Sequence, residues 1–227
     1  QEAFSPSCKP ALSGAFPGRP HSFRSMDTES CRQTVCAGHT YIMEQTHMRI
    51  LIVYGSQYGT TKRYAQKCSE LTDLPFINYE EVTDLTDYDL VVHFGGLYAG
   101  GVMGLKHTVK ALRDSAGLIV ATVGLADVSD PENTARIRQS IQKQLPEALF
   151  RRTKMFHLRG GIDYQRLSLK HKTMMALLYH RVRHLPESQK TAEDRAMLET
   201  YQSRVDFVDD RSLQPLVEEI RKFALPE

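Results

Sequence analysis

The fold is decided by the stretch R-I-L-I-V-Y-G-S-Q-Y-G-T-T-K, which runs from Arg49 to Lys62. Its first six residues are mostly apolar and rich in β-formers, which is typical of a central strand in a parallel sheet covered on both faces. Gly55 and Gly59 permit a tight turn and close backbone approach after this strand. A helix is predicted from Thr60 onward, so the stretch indicates a strand, a loop and a helix.

The loop between this strand and this helix has the composition of an anion site. Its side chains supply hydroxyl groups, and the backbone amides at the N-terminus of the next helix attract negative charge. The chain contains neither G-x-G-x-x-G nor G-x-x-x-x-G-K-[ST], which disfavours a dinucleotide site and an ATP-type P-loop. The loop therefore predicts binding of one terminal phosphate. The residues expected to contact it are Ser56, Gln57, Tyr58, Gly59, Thr60 and Thr61.

The same loop resembles the flavodoxin signature hydroxyl-x-hydroxyl-Gly-x-Thr, with Ser56, Gly59 and Thr61 on matching positions. This resemblance implies FMN as the cofactor. Tyr58 departs from the signature, because the family usually has a small hydroxyl residue there. The departure leaves it undecided whether the side chain at 58 bonds the phosphate, while the backbone amide is still there to donate.

Length and composition indicate one α/β domain with appendages, since the 227 residues are 41% hydrophobic. Residues 1–47 are rich in Ser, Pro, Gly, Cys and His and lack hydrophobic periodicity. We interpret them as a disordered segment, either a tag or translation upstream of a start at Met48. They do not have the pattern of a signal peptide. The domain is predicted to occupy residues 48–227.

Charge and cysteine content disfavour several classes of protein. The net charge is +2, and the four cysteines form no CxxC pair and lack histidines at zinc spacing. We interpret the chain as a reduced, cytoplasmic protein without a structural metal. No run approaches the ~18 apolar residues of a membrane span. The positive charge is confined to one insertion with few aromatic residues, which argues against nucleic acid as a partner. No catalytic side chain is assigned.

From Met48 onward predicted strands and helices alternate, which is the pattern of a parallel sheet wrapped on both faces. The predicted class is α/β, with a flavodoxin-like doubly wound five-stranded parallel sheet, helices on both faces and a helical insertion near the last strand. The predicted strands are 49–54, 75–79, 88–94, 117–123 and 154–159; the predicted helices are 60–71, 103–115, 131–145 and 213–223, and the insertion is about 163–204.

Two further strand exits are expected to meet the phosphate loop, because doubly wound sheets bind ligands beyond the carboxyl ends of their strands. They are the glycine-rich run Gly95 to Gly101 and the run Gly124 to Val128. Tyr98 is expected to stack on the flavin ring. Asp127 either tunes the flavin potential or is a capping or solvated residue. The flavin contacts predicted from both runs are Gly96, Leu97, Tyr98, Ala99, Gly100, Gly124, Leu125, Ala126 and Asp127.

The insertion carries a basic helical pattern. Between Tyr164 and Pro186 the chain has no acidic residue and five lysines and arginines, while apolar residues recur roughly at helical spacing. This pattern predicts a basic amphipathic helix over Arg166–Arg183. Such a helix either lies on an anionic membrane surface or grips an acidic partner. The alternative is a helix that packs its apolar side on the domain and leaves its basic side chains in water.

The order of motifs resembles the menaquinone-dependent protoporphyrinogen oxidase group of flavodoxin-like proteins. A Y-D-x-V-V strand with a Gly/aromatic exit (88–101) is followed by V-x-L-A (123–126), G-x-x-x-Y (160–164) and V-x-x-x-D before the last helix (205–220). The resemblance implies FMN, a quinone acceptor and attachment to the inner face of a membrane. Tyr98 and Ala99 depart from it, because that group has a basic residue followed by tyrosine there.

Three hypotheses about function follow. The first is an FMN-dependent electron-transfer flavoprotein with a separate redox partner. The second is a membrane-attached protoporphyrinogen oxidase that passes electrons to a quinone. The third is an interaction module that keeps the fold without flavin, which the departure at Tyr58 leaves open. The sequence does not predict an oligomeric state.

Overall fold

The computed structural model describes residues 48–98 and 101–224. Its centre is a parallel sheet of five strands in the order β2-β1-β3-β5-β6, to which β4 adds antiparallel to β3. A separate antiparallel pair is formed by β7 and β8. The predictions for residues 1–47 lie outside the described residues. The strands are β1 Ile50–Gly55, β2 Phe76–Asn78, β3 Leu90–Tyr98, β4 Gly101–Val102, β5 Gly117–Gly124, β6 Lys154–Arg159, β7 Gly161–Asp163 and β8 Arg204–Asp206.

Helices cover both faces of this sheet, as the doubly wound prediction requires. The helices α1 and α7 pack on one face, and α2, α3 and α4 pack on the other. The α/β class and the five-stranded parallel sheet predicted from the sequence are confirmed. The helices are α1 Thr60–Thr72, α2 Leu105–Ala111, α3 Pro131–Gln142, α4 Glu147–Arg152, α5 Leu169–Arg183, α6 Ala192–Thr200 and α7 Gln214–Ala224.

The continuous apolar run of β1 is explained by burial on both faces. Ile50 and Ile52 belong to the core under α1 and α7, whereas Leu51 and Val53 belong to the core under α2, α3 and α4. Successive side chains of a strand point to opposite faces, so a strand covered on both sides needs apolar residues throughout.

Several predicted boundaries differ from the structure. The strand predicted over 88–94 continues to Tyr98, because Gly95 and Gly96 still pair with Thr122 and Val123. The helix predicted over 103–115 covers only Leu105–Ala111, since Gly104 before it has a φ of 79°. The helix predicted over 131–145 ends at Gln142, and α4 starts after Pro146, which disfavours a helical residue before it.

The insertion has more structure than the sequence indicates. Its base is the pair β7 and β8, in which Ile162 is opposite Val205. Between these strands the chain forms α5 and α6. The strands β7 and β8 have three residues each and α6 was not predicted, because such short elements carry too little periodicity to recognise.

A buried histidine fixes the exit of β3. His93 has no solvent exposure, and its Nε2 lies 2.9 Å from the carbonyl oxygen of Met103. Its Nδ1 lies 2.9 Å from the hydroxyl of Thr108. Burial lowers the pKa of His93 to about 4. The ring is therefore neutral at pH 7, donates from Nε2 to Met103 and accepts from Thr108.

We expect the free energy of unfolding to fall on acidification because of His93. The unfolded histidine titrates near pH 6.5 and the folded one near 4, so this contribution is complete above about pH 6.5 and is lost as the pH falls towards 4. Between about pH 7.5 and about pH 5 the loss is on the order of 2 kcal/mol. Urea unfolding at both pH values measures it. His93→Gln should reduce the pH dependence of the free energy of unfolding, whereas His184→Ala, at an exposed histidine, should keep it. Equal pH dependence in the wild type and both variants would show that His93 is not its source.

Candidate cofactor site

A cavity of about 470 Å³ lies at the carboxyl ends of β1, β3 and β5, within the size range of small-molecule sites. The phosphate loop predicted at 56–61 and both predicted strand exits contribute to its wall, so the structure brings them together. The strand order reverses between β1 and β3, where doubly wound sheets bind ligands. Of the predicted residues, its wall contains Ser56, Gln57, Tyr58, Thr60, Thr61, Gly96, Leu97, Tyr98, Gly124 and Leu125.

The phosphate loop has a geometry suited to an anion. Gly59 has a φ of 93° and begins α1 without a side-chain cap, so the first amides of α1 are available to a ligand. The hydroxyl oxygen of Ser56 accepts from the Gly59 amide at 3.1 Å and keeps its own proton to donate. Thr61 is 4% exposed and lines the cavity. These features fit a terminal phosphate.

The loop is packed tightly against the exit of β3. A Cβ on Gly55 would lie 2.4 Å from the carbonyl oxygen of Met103. That oxygen is fixed by His93, and the Met103 amide donates to the carbonyl of Gly96 at 3.0 Å. Another backbone segment therefore approaches Gly55 closely, whereas a Cβ on Gly59 would meet no atom within 4 Å.

Gly55→Ala is therefore expected to displace Met103 and distort the cavity. Overpacking of this kind destabilises by about 1–3 kcal/mol. Chemical denaturation measures this loss. The matched control is Gly101→Ala, because a Cβ there would have its nearest neighbour at 3.4 Å, in a flexible glutamine side chain. Equal stability of both variants would show that the contact at Gly55 is unimportant.

The two strand exits form neighbouring parts of the wall, since a Cβ on Gly124 would lie 2.7 Å from Cδ1 of Leu97. Leu97 and Tyr98 end β3, while Gly124 ends β5 and Leu125 follows it. Arg159 donates from Nε to the carbonyl oxygen of Leu125 at 3.2 Å, which fixes the second exit. An apolar wall beside a polar loop suits a flat ring that carries a phosphate.

The remaining predicted residues that the structure describes lie outside the wall of this cavity. Ala126 is buried and Asp127 is exposed, and neither belongs to the wall of this cavity. Asp127 accepts from the amide and hydroxyl of Ser129, and these two bonds lower its pKa. Asp127 thus stabilises a local turn. Gly59 lines a neighbouring cavity of about 260 Å³ instead. The predicted contacts Ala99 and Gly100 lie outside the described residues.

The insertion supplies a wall that the sequence did not predict. Residues of α5 and α6 face the phosphate loop across the cavity, and most of them are apolar. The Met-rich pattern was visible in the sequence, but a pattern of this kind does not say which surface the helix contacts. The wall residues from 160 onward are Gly160, Gly161, Ile162, Leu167, His171, Met174, Met175, Leu178, Glu193, Asp194 and Met197.

Tyr58 makes a contact that explains its departure from the flavodoxin signature. Its hydroxyl is hydrogen-bonded to Nδ1 of His171 in α5. The side chain therefore extends from the phosphate loop to the insertion. The ring of His171 also lies edge-on to Tyr98, with 5.8 Å between the ring centroids.

The fold and this cavity define a doubly wound α/β protein with a ligand site at its strand exits. The flavodoxin domain family matches residues 51–188, and the chain belongs to this family. Family membership agrees with the predicted FMN cofactor. No match was found among curated proteins. Within the described residues, no helix is long and apolar enough to cross a membrane.

Similar solved structures include three flavin-related proteins. A cysteine-to-alanine mutant of flavodoxin from Pseudomonas aeruginosa is 15% identical, with a TM-score of 0.39, and the match covers 78% of this chain and 99% of that one. A flavoprotein from Lactobacillus acidophilus in complex with FMN is 13% identical, with a TM-score of 0.35 and coverages of 49% and 92%. A flavodoxin mutant from Fusobacterium nucleatum bound to flavin mononucleotide is 13% identical, with a TM-score of 0.34 and coverages of 52% and 71%.

Proposed function

We propose that this protein is an FMN-dependent redox protein that transfers electrons through the bound flavin. The observation that supports it best is the convergence of the phosphate loop and two strand exits on one cavity. The amides of α1 and the hydroxyls of Ser56 and Thr61 bind the phosphate. Leu97, Tyr98 and Leu125 enclose the flavin ring.

The bound flavin supplies the redox chemistry, and the chain positions it and controls access to it. Thr61 is suited to phosphate binding because it is buried beside Gly96, where an added Cβ would lie 3.2 Å from its hydroxyl oxygen. The hydroxyl is therefore fixed in place before the ligand arrives. Such preorganisation lowers the entropy lost on binding.

Replacement of Ser56 and Thr61 by alanine is expected to weaken FMN binding at least about tenfold, because bonds to charged groups contribute about 1.5–3 kcal/mol each. A fluorescence titration of apoprotein with FMN measures the dissociation constant. Ser188→Ala, which removes a hydroxyl outside the cavity, is the control. An unchanged dissociation constant in the double variant would refute the assignment of the loop. Wild-type protein that binds no FMN would leave the flavin-free interaction module as the function.

The second candidate is a menaquinone-dependent protoporphyrinogen oxidase attached to a membrane surface. The apolar wall formed by α5 and by Met197 of α6 favours it, because an electron carrier that meets only proteins has no need of a Met-lined space beside its flavin. Met174, Met175 and Leu178 give this wall soft, adaptable side chains that suit a flat apolar reactant. From the sequence, packing on the domain was expected as the alternative to membrane binding. One side of α5 can pack on the domain while its other side carries the basic residues, so the two are compatible.

The outer side of α5 supports the membrane part of this candidate. Leu169 and Leu177 are 84% and 68% exposed. Lys170 and Arg181 are exposed as well, and they are separated from Leu177 by seven and four residues, so these three share one side of the helix. Exposed leucines beside basic residues suit an anionic lipid surface.

We expect the protein to sediment with anionic vesicles at low salt and to dissociate as salt is added. Basic residues near such a surface contribute roughly 1 kcal/mol each, and salt screens them. A variant in which glutamine replaces four basic residues of α5 should no longer sediment and should keep its flavin spectrum. The four residues are Lys170, Lys172, Arg181 and Arg183. The control removes as many charges elsewhere, at Lys106, Lys110, Lys143 and Lys222. Equal loss in both variants, or no wild-type binding, would contradict a lipid surface specific to α5.

The enzymatic part of the second candidate has a separate assay, in which FMN-loaded protein oxidises protoporphyrinogen with a quinone as acceptor. Met175→Gln should raise the KM roughly fivefold, because about 1 kcal/mol of apolar contact is lost. Absence of turnover with intact FMN binding would leave the electron-transfer flavoprotein as the function.

A further inference from the structure

His171 occupies a special position in the insertion. It lies in the first turn of α5, where its amide donates to the hydroxyl oxygen of the capping residue Ser168 at 3.3 Å. Its side chain belongs to the wall of the cofactor cavity. The imidazole is thereby directed from the start of the helix towards the phosphate loop.

Two tyrosines from two different strand exits contact this imidazole. Tyr58 is bonded to Nδ1, and its ring meets His171 edge-on with a centroid distance of 5.5 Å and an angle of 81°. Tyr98 meets the same ring at 5.8 Å and 80°. The hydroxyl of Tyr98 also lies 3.6 Å from the sulfur of Met174, one turn further along α5. The three rings together connect β1, β3 and α5 across the cavity.

The two halves of α5 are attached differently. The structure describes every residue of α5, and Val182 is the one that is buried. Tyr179 stacks on Tyr201 with 3.9 Å between the ring centroids. Both contacts fix the C-terminal half. In the N-terminal half Leu169 is 84% exposed, and Lys170 is exposed too. Lys172 donates to the carbonyl of Gln165 within the insertion, whereas the contacts with Tyr58 and Tyr98 join this half to the strand exits of the central sheet.

We propose that Tyr58, Tyr98 and His171 form a latch that keeps the N-terminal half of α5 across the mouth of the cavity, and that release of this latch admits the reactant to the flavin. The Tyr58 hydroxyl and Nδ1 of His171 share a hydrogen bond, and the two aromatic edges add orientation-dependent contacts. The access part of the proposal rests on the proposed FMN function; the latch itself does not.

Hydrogen exchange of the full chain without flavin tests the latch. His171→Ala should raise the exchange rate of amides in 172–175, where the intrahelical bonds of α5 begin, at least about tenfold, while the amides of β3 stay unchanged. His180→Ala is the control, because His180 lies on the same helix and contacts Tyr179 instead. Tyr58→Ser restores a small hydroxyl to the phosphate loop and should loosen the same segment. Equal exchange in His171→Ala and His180→Ala would overturn the latch.

The access step has its own readout in FMN-loaded protein. A water-soluble benzoquinone should oxidise the reduced flavin several-fold faster in His171→Ala than in wild type or His180→Ala. An unchanged rate in a variant whose helix has loosened would overturn control of access. Should no variant bind FMN, the proposed function fails, while the exchange experiment still decides whether the latch exists.

Discussion

The cofactor site depends on the position of one carbonyl group, that of Met103. His93 donates to this oxygen from the buried centre of β3, and Gly55 at the end of β1 leaves room for it by having no Cβ. The Met103 amide is bonded back to Gly96. One peptide thus joins the exits of two neighbouring strands, and the phosphate loop begins at that junction. His93 and its partner Thr108 have no solvent exposure, so loss of either would leave a buried polar group unpaired.

The cavity has two chemically different ends, because different parts of the fold form them. At one end the phosphate loop and the N-terminus of α1 present amides and hydroxyls, which is a consequence of the doubly wound topology. At the other end α5 presents two methionines and a leucine, and α6 adds Met197 beside the acidic Glu193 and Asp194. Both helices come from an insertion outside the central sheet. The first end is suited to a phosphate and the second to an apolar surface. A flavin between them would have its ring next to the apolar end.

Features formed by contiguous residues could be predicted from the sequence, whereas contacts between distant residues could not. Strand β6 was predicted with its observed bounds, because a short run of β-formers lies between a helix and a glycine pair. The phosphate loop was predicted because all its parts are contiguous in sequence. The partner of Tyr58 was not, since His171 is 113 residues away. Periodicity showed that one side of α5 is apolar, but periodicity does not specify whether protein or lipid covers that side.

Tyr58 shows how a departure from a family signature acquires meaning through a distant residue. In the sequence it is a bulky side chain in a loop that favours small hydroxyls, and this weakens the expectation of phosphate binding. In the structure the phenol extends away from the loop to His171, while Ser56, Thr61 and the amides of α1 stay available. A small residue at 58 would serve the phosphate alone. Tyrosine there joins the phosphate loop to the helix that borders the apolar end, so the loop proposed to bind the phosphate also contacts the wall beside it.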